Sequence, residues 1–399
     1  MGQFIRQPTL PTGGEKNPRL LAVSHSPDMF GAPRSLLSLL DDTHREIDWR
    51  VACYGRGEFV DRLRASGLGC VTLPKISFPE GKKILSRPKT NLRWLFAELH
   101  ATARLLRIVS CENCNLVYAN TITRLAPCLV ASLASVPLVV HVRENENRIL
   151  RWGGRNREIV RVNMQRANRL ICVSRSVQDS LLTRGATREK TLVIYNGVAP
   201  KRDRGDREPN EGQSSPSQYR RLTLGFLGAF SERKGFPFFL DLAIELCERT
   251  DIQCLAVGGT EEGVYRWEKL IPAHLANRII LGPFRRDTDS FFQEIDIFCM
   301  TSFQEPFARV NLEAASYGLP IVASAVDGNK ELFEDGVNAE LCRPGDKACF
   351  RRKILELVED PVKRSALGER ARDTVREDFT LGQCHRQVVA LLREELNRR

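Results

Sequence analysis

The chain has 399 residues, more than a single hydrophobic core usually organises, so two domains are expected. Its 42% apolar content is ordinary for a globular protein, and no apolar run approaches the roughly 20 residues of a membrane span. The net charge of +11 is uneven: residues 1–200 carry 30 Lys/Arg against 16 Asp/Glu, and the remainder 30 against 33. A basic first half points to an anionic partner.

The opening stretch, MGQFIRQPTLPTGGEKNPR, lacks the apolar centre of a signal peptide, which predicts a cytoplasmic setting. Of the twelve cysteines, Cys53, Cys128, Cys172, Cys254 and Cys299 lie in apolar runs, where a reduced thiol acts as a small hydrophobe. Cys111-Glu112-Asn113-Cys114 has the spacing of a metal or redox pair, but no second pair accompanies it.

Arg19 to Ser24 (RLLAVS) predicts the first buried strand. A loop containing Gly31 and a helix over Ser35–Leu40 follow, and Gly31 would let the backbone approach a ligand. Strand, glycine loop and helix make the first unit of a doubly wound sheet. Strands at Arg50–Cys53, Cys70–Leu73 and Asn115–Ala119 continue it. Between them Asn91–Val109 is amphipathic, with Leu92, Leu95, Phe96, Leu99, Ala103 and Leu106 on the face predicted to meet the core. Arg93, His100, Arg104 and Arg107 fall on another face, and Lys82, Lys83, Arg87 and Lys89 lie just upstream. Residues 82–109 read either as a core helix with a solvated basic face or as a docking surface for an anionic membrane.

Pro137 to Val142 is a strand with His141 near its end, followed by Arg143 and Glu144. Arg155–Arg169 is a basic helical stretch, and the apolar runs Leu170–Ser174 and Thr191–Val198 follow it. Residues 1–199 thus form an N-terminal Rossmann-like domain. Pro200 to Arg220 is polar, rich in Pro, Gly and Ser, and without periodicity, which predicts a linker over 200–220. The alternation restarts at Leu222–Leu227 and GAFSERKG, then Leu255–Gly259 and Ile279–Pro283, predicting a second Rossmann-like domain over 221–380. Asp287-Thr288-Asp289 sits at an expected helix start, where an aspartate is more simply a cap than a metal ligand. Asp41-Asp42 and Glu359-Asp360 read as helix ends, and no metal is expected.

The densest stretch is Thr301–Gly328, TSFQEPFARVNLEAASYGLPIVASAVDG. The apolar run Ile295–Met300 predicts a strand, Glu305-Pro306 a turn, Phe307–Tyr317 a helix ended by Gly318, and Ile321–Ala325 another strand. Backbone N–H groups of Phe307, Ala308, Arg309 and Val310 would then form a helix start that favours a phosphate-like anion. Glu305 at its mouth and Glu313 two turns along could accept hydrogen bonds from sugar hydroxyls. Alone, two glutamates so spaced describe a solvated surface helix; beside a phosphate-binding helix end they describe a nucleotide-sugar site.

Ser302, Glu305-Pro306-Phe307, Glu313-Ala314, Gly318-Leu319-Pro320-Ile321-Val322-Ala323, Gly328, Glu331 and Pro344-Gly345-Asp346 resemble the donor signature of retaining glycosyltransferase family 4. The resemblance implies the GT-B fold, two Rossmann-like doubly wound domains facing a central cleft, with a C-terminal helix over 381–398 packed back on the first domain. It implies transfer of a sugar from a nucleotide diphosphate sugar to a glycan or lipid-linked acceptor, with retention, no cofactor and no metal. Glu313 would hold the ribose, Glu305 the transferred sugar, Lys234 the diphosphate, and His141 would face the donor sugar. Gly31, Arg233, Phe307, Ala308, Arg309 and Val310 complete the donor site.

The chain departs from the pattern at Ala199, Asp327 and Ala339, and at Ala229-Phe230 where an arginine is usual. Arg233 is placed to replace that arginine in part. The setting implied is cytoplasmic, peripheral on the inner face of the cell membrane, in cell-surface polysaccharide or glycolipid synthesis. An epimerase or phosphorylase of the same fold is the alternative. A nucleic-acid binder would share the charge, but no reading motif or aromatic-interleaved basic groove is present, so no nucleic-acid partner is expected.

Overall fold

The computed structural model describes residues 17–75, 88–144, 154–201 and 221–398, with the side chains of 88–92 and 154–156 outside that description. Lys82, Lys83, Arg87 and residues 202–220 of the expected linker therefore lie outside the described residues. Short apolar runs form parallel strands, fully buried at the sheet centres and partly exposed at the edges. The first sheet contains β1 (Arg19–Ser24), β2 (Asp48–Tyr54), β3 (Cys70–Leu73), β4 (Leu116–Ala119), β5 (Leu138–Val142), β6 (Arg169–Cys172) and β7 (Thr191–Val193). Its order is β3-β2-β1-β4-β5-β6-β7, with Leu20 of β1 opposite both Trp49 and Leu116.

The second sheet contains β8 (Thr223–Leu227), β9 (Gln253–Gly259), β10 (Ile279–Pro283), β11 (Ile297–Met300), β12 (Ile321–Ser324) and β13 (Glu340–Cys342). Its order is β10-β9-β8-β11-β12-β13, all parallel. In each sheet the strand order reverses once, between β1 and β4 and between β8 and β11. Loops leaving the strands there open the crevice in which doubly wound sheets bind ligands.

The last helix, Leu381–Asn397, starts with a capping box between Thr380 and Gln383. Its Val388, Val389, Leu391 and Leu392 join Leu36, Leu40 and Trp49 in the core of the first domain. Gly197 lies so close to Thr380 that any Cβ would collide with its carbonyl, and Val198 pairs with Thr380 across this crossing. Tyr195, Phe307 and Phe379 pack as an aromatic cluster between the domains, with ring centroids 5.1–5.6 Å apart.

The long helix Pro88–Cys111 departs from its expected orientation. Trp94, Glu98, Ala101, Thr102, Leu105, Ile108 and Val109 face inward, while Leu95, Phe96, Leu99 and Ala103 are exposed. The reason is polar. Glu98 is fully buried and accepts the N–H groups of Leu125 (3.1 Å) and Ala126 (2.8 Å), capping the helix Ala126–Leu133, and it pairs with buried Arg124. Satisfying that helix end and charge fixes the rotation of the helix, and Trp94, Ala101, Leu105, Ile108 and Val109 bury a second apolar stripe on the Glu98 side.

No helix among the described residues is long and apolar enough to cross a membrane.

Candidate active site

Both sets of strand carboxyl ends meet at one cleft. From the first domain come the loop after β1, residues after β4 and β5, and the turn after β7. From the second come the loops after β8, β10, β11 and β12. Gly31 begins the first helix, Gly31–Thr43, rather than preceding it, and a Cβ there would meet open space. The backbone at this helix start is accordingly accessible.

The helix between the two glutamates runs Arg309–Ser316, with Ala308 at its N-cap. It is shorter than the apolar spacing suggests, because Phe307 turns into the aromatic cluster instead of starting the helix. Ala308 C=O accepts the N–H groups of Asn311 (3.2 Å) and Leu312 (3.4 Å). The donors of Arg309 and Val310 come before any helical acceptor and are the orphan groups of the first turn. Gly318, at φ +67°, ends the helix in the left-handed conformation.

Glu313 is buried, with only 6% of its surface exposed. Its Oε1 lies 3.6 Å from Arg34 of the first domain and 3.5 Å from Arg309. Its Oε2 is buried with no hydrogen-bond partner. A buried carboxylate oxygen without a donor is the acceptor a ligand hydroxyl would satisfy. Arg309 also donates to Ser35 Oγ at 2.7 Å, so the pair bridges the domains. Burial, together with Arg34 and Arg143 nearby, lowers the pKa of the Arg309 guanidinium, against the pull of Glu313.

Lys234 ends a 3-10 turn, Glu232–Lys234, and its ammonium is ion-paired with Glu305. Gly235 follows at φ +68°, where a Cβ would strike the Thr301 carbonyl, so only glycine lets this turn lie against β11. Arg233 reaches the same Glu305 oxygen at 3.8 Å and donates to Gln304 C=O at 3.4 Å. Asp327 occupies a left-handed conformation, φ 33°, and its carboxylate accepts the Glu305 N–H at 3.2 Å. Glu305, Lys234, Arg233 and Asp327 therefore form one cluster at the mouth of the Arg309 helix.

His141 lies deeper than a strand-end residue: it is 1% exposed. Its Nδ1 is 2.6 Å from Tyr118 Oη and 3.3 Å from Arg143 Nη2. Burial, then the charge of Arg143, holds its pKa well below the ordinary range, so the ring is neutral. The group at the strand end itself is Arg143.

Asp287-Thr288-Asp289 is divided among other partners. Asp287 accepts the Asp289 N–H at 2.9 Å, Thr288 stands at the N-cap of the helix Asp289–Glu294, and Asp289 binds Lys201 through both oxygens at 2.8 Å. No group of three metal-ligating residues occurs among the described residues. Cys111 is exposed and Cys114 buried, and both are free.

Three contributors carried no assigned role in the sequence reading. Arg34 had no periodic or motif signal. Arg143 had one, its place immediately after a buried strand. Glu331 crosses to the first domain, as its place in the signature did not reveal.

Two family models match the chain: Glycosyltransferase Family 4 over residues 30–202 and Glycosyl transferases group 1 over residues 208–374. Among curated proteins, the lipopolysaccharide core biosynthesis glycosyltransferase LpsE of Rhizobium meliloti is 28% identical over 163 residues, covering 41% of this chain and 46% of LpsE. Spore coat protein SA of Bacillus subtilis is 25% identical over 232 residues, covering 53% of this chain and 60% of that protein. The chain thus spans about half the length of these relatives. Among solved structures, Anabaena HepE in complex with UDP-glucose superposes with a TM-score of 0.76 at 22% identity, over 94% of this chain and 99% of HepE. That likeness shows a shared fold, two parallel sheets of the GT-B arrangement.

Proposed function

Since the chain belongs to the group 1 glycosyltransferases of the GT-B fold, we propose that it moves a sugar from a nucleotide diphosphate sugar to a glycan or lipid-linked acceptor. The observation that carries this reading is the unpartnered, buried Glu313 Oε2 beside the start of the Arg309–Ser316 helix. Ribose hydroxyls satisfy that oxygen, and the diphosphate takes the helix-start N–H groups. Lys234 lies beside Glu305, so diphosphate and transferred sugar meet a cation and a carboxylate already held together.

In this reading the bond from the anomeric carbon to the leaving diphosphate breaks as a bond to the acceptor oxygen forms on the same face. The acceptor's proton passes to the departing phosphate oxygen, and configuration is retained. Lys234 stabilises negative charge as it grows on the diphosphate. Glu305 orients the sugar through its hydroxyls. The reaction proceeds without a metal, the cations and helix start serving in its place.

HepE was solved with UDP-glucose, which supports a nucleotide-sugar donor. The relative LpsE and the capsular polysaccharide biosynthesis glycosyltransferase CapM of Staphylococcus aureus support a role in cell-surface polysaccharide synthesis. The exposed Leu95, Phe96 and Leu99, flanked by exposed Arg93, Arg104 and Arg107, support work at an anionic membrane surface. The test is a nucleotide-release assay over a panel of donors and acceptors, with the product's anomeric configuration read by NMR. Release that depends on an acceptor, with retention, supports the proposal. Free sugar, an epimerised donor or phosphate-dependent turnover would instead assign an epimerase or phosphorylase.

A further inference from the structure

Arg143 is held by three neutral acceptors. Nε donates to Asn120 Oδ1 at 2.9 Å, Nη1 to Asn196 Oδ1 at 2.8 Å, and Nη2 lies 3.3 Å from His141 Nδ1. A guanidinium has five N–H donors and no acceptor; with Tyr118 also hydrogen-bonded to Arg143, at most four are engaged among the described residues. No carboxylate pairs with it there either. The adjacent Glu144 turns its carboxylate to Thr121 Oγ1 and to the Arg143 backbone N–H.

The anchors are rigid. Asn120 is fully buried and its amide donates to Ala32 C=O at 2.8 Å, tying the guanidinium to the helix start at Gly31. Tyr118 Oη lies 2.6 Å from the same His141 nitrogen, so hydroxyl, imidazole and guanidinium form one buried polar group. The imidazole in it is neutral, held so by burial and by the neighbouring cation.

Arg143 stands at the carboxyl end of β5, close enough to Arg309 for their charges to repel, while Arg34 and Arg309 share one carboxylate, Glu313. Such an excess of fixed positive charge calls for an anion. We propose that Arg143 is a further catalytic residue, contacting the donor diphosphate from the first domain with its remaining N–H donor. His141, Asn120 and Asn196 are positioning residues that aim it. This rests on the nucleotide-sugar reading above.

The test is calorimetry with UDP, GDP and ADP beside uridine, guanosine and adenosine. Wild type binds at least one diphosphate; Arg143→Gln weakens that diphosphate roughly 10- to 150-fold, as for loss of charged hydrogen bonds, and leaves the matching nucleoside unchanged. Arg143→Lys falls between the two. Undiminished diphosphate binding by the Gln variant overturns the assignment, as does an equal loss for diphosphate and nucleoside. If wild type binds none of the three diphosphates, the nucleotide-sugar reading fails and this assignment with it.

Should the Gln variant not fold, arginine-specific dicarbonyl labelling of wild type, mapped by mass spectrometry, decides the matter. The diphosphate protects Arg143 and the nucleoside does not; equal labelling with both overturns the proposal.

Discussion

The Glu331 carboxylate, from the second domain, accepts the Arg175 N–H of the first domain at 2.7 Å. The same carboxylate takes the Ser176 N–H at 2.8 Å and the Tyr195 hydroxyl at 3.0 Å. It thus caps, from another domain, the helix Arg175–Leu182, whose own Ser174 already accepts from Val177. An anion at a helix start is favourable both as a cap and against the helix dipole. Burial and the Glu331 hydrogen bond push the Tyr195 hydroxyl up to about 12, so it stays a donor at every working pH.

Glu331→Ala should therefore lower the unfolding free energy by about 1–2 kcal/mol, the usual cost of losing a cap. Denaturant titration checks this, and an unchanged midpoint and slope would show the clamp to be idle in solution.

Glu313→Ala removes the unsatisfied acceptor. Nucleotide-sugar affinity should fall roughly 10- to 150-fold, the cost of about 1.5–3 kcal/mol for a charged hydrogen bond. Calorimetry on the folded variant measures it; wild-type affinity would remove Glu313 from the site.

Lys234→Ala should lower turnover more than donor affinity, because the diphosphate charge it faces grows in the transition state. Initial rates at saturating donor separate the two effects. Wild-type turnover would leave Lys234 as the structural partner of Glu305 alone.

His141 is a buried histidine whose folded pKa is depressed, so the unfolded chain takes up its proton more readily. The stability this contributes is present above about pH 6.5 and is lost as pH falls below it, by up to about 1.4 kcal/mol per pH unit. His141→Asn should flatten the dependence of unfolding free energy on pH between 7 and 5. An equal slope in wild type and variant would mean that the ring titrates alike in the native and unfolded states.

Replacing Leu95, Phe96 and Leu99 with Ser, or Arg93, Arg104 and Arg107 with Glu, should release the protein from anionic vesicles. Each cation near such a surface contributes about 1 kcal/mol, and high salt should weaken the attachment. Co-sedimentation at two salt concentrations tests it; indifference of wild type to anionic vesicles at low salt would make the stripe a merely solvated one.

Strand placement was legible because buried parallel strands are short apolar runs between turn residues, and each expected strand forms within a few residues of its place. The donor loop was legible for a related reason, since Glu305, Gly318 and Glu313 act within one local strand–turn–helix. The orientation of Pro88–Cys111 was not. Its apolar period points Leu95, Phe96 and Leu99 inward, but the buried demand is set by Glu98, whose partners at residues 124–126 are distant in sequence. Phe307 was misplaced into the helix because the ring cluster that claims it, Tyr195 and Phe379, is equally remote. Cross-domain partners such as Arg34 with Glu313 leave no periodic trace at all.

Whether this cleft holds a nucleotide sugar through Glu313 can be read by saturation-transfer NMR against a panel of nucleotide sugars. With wild type, at least one donor should show saturation at its ribose and sugar protons, and Glu313→Ala should abolish or sharply weaken it. A panel with no such signal, or one unaffected by Glu313→Ala, would contradict binding through Glu313.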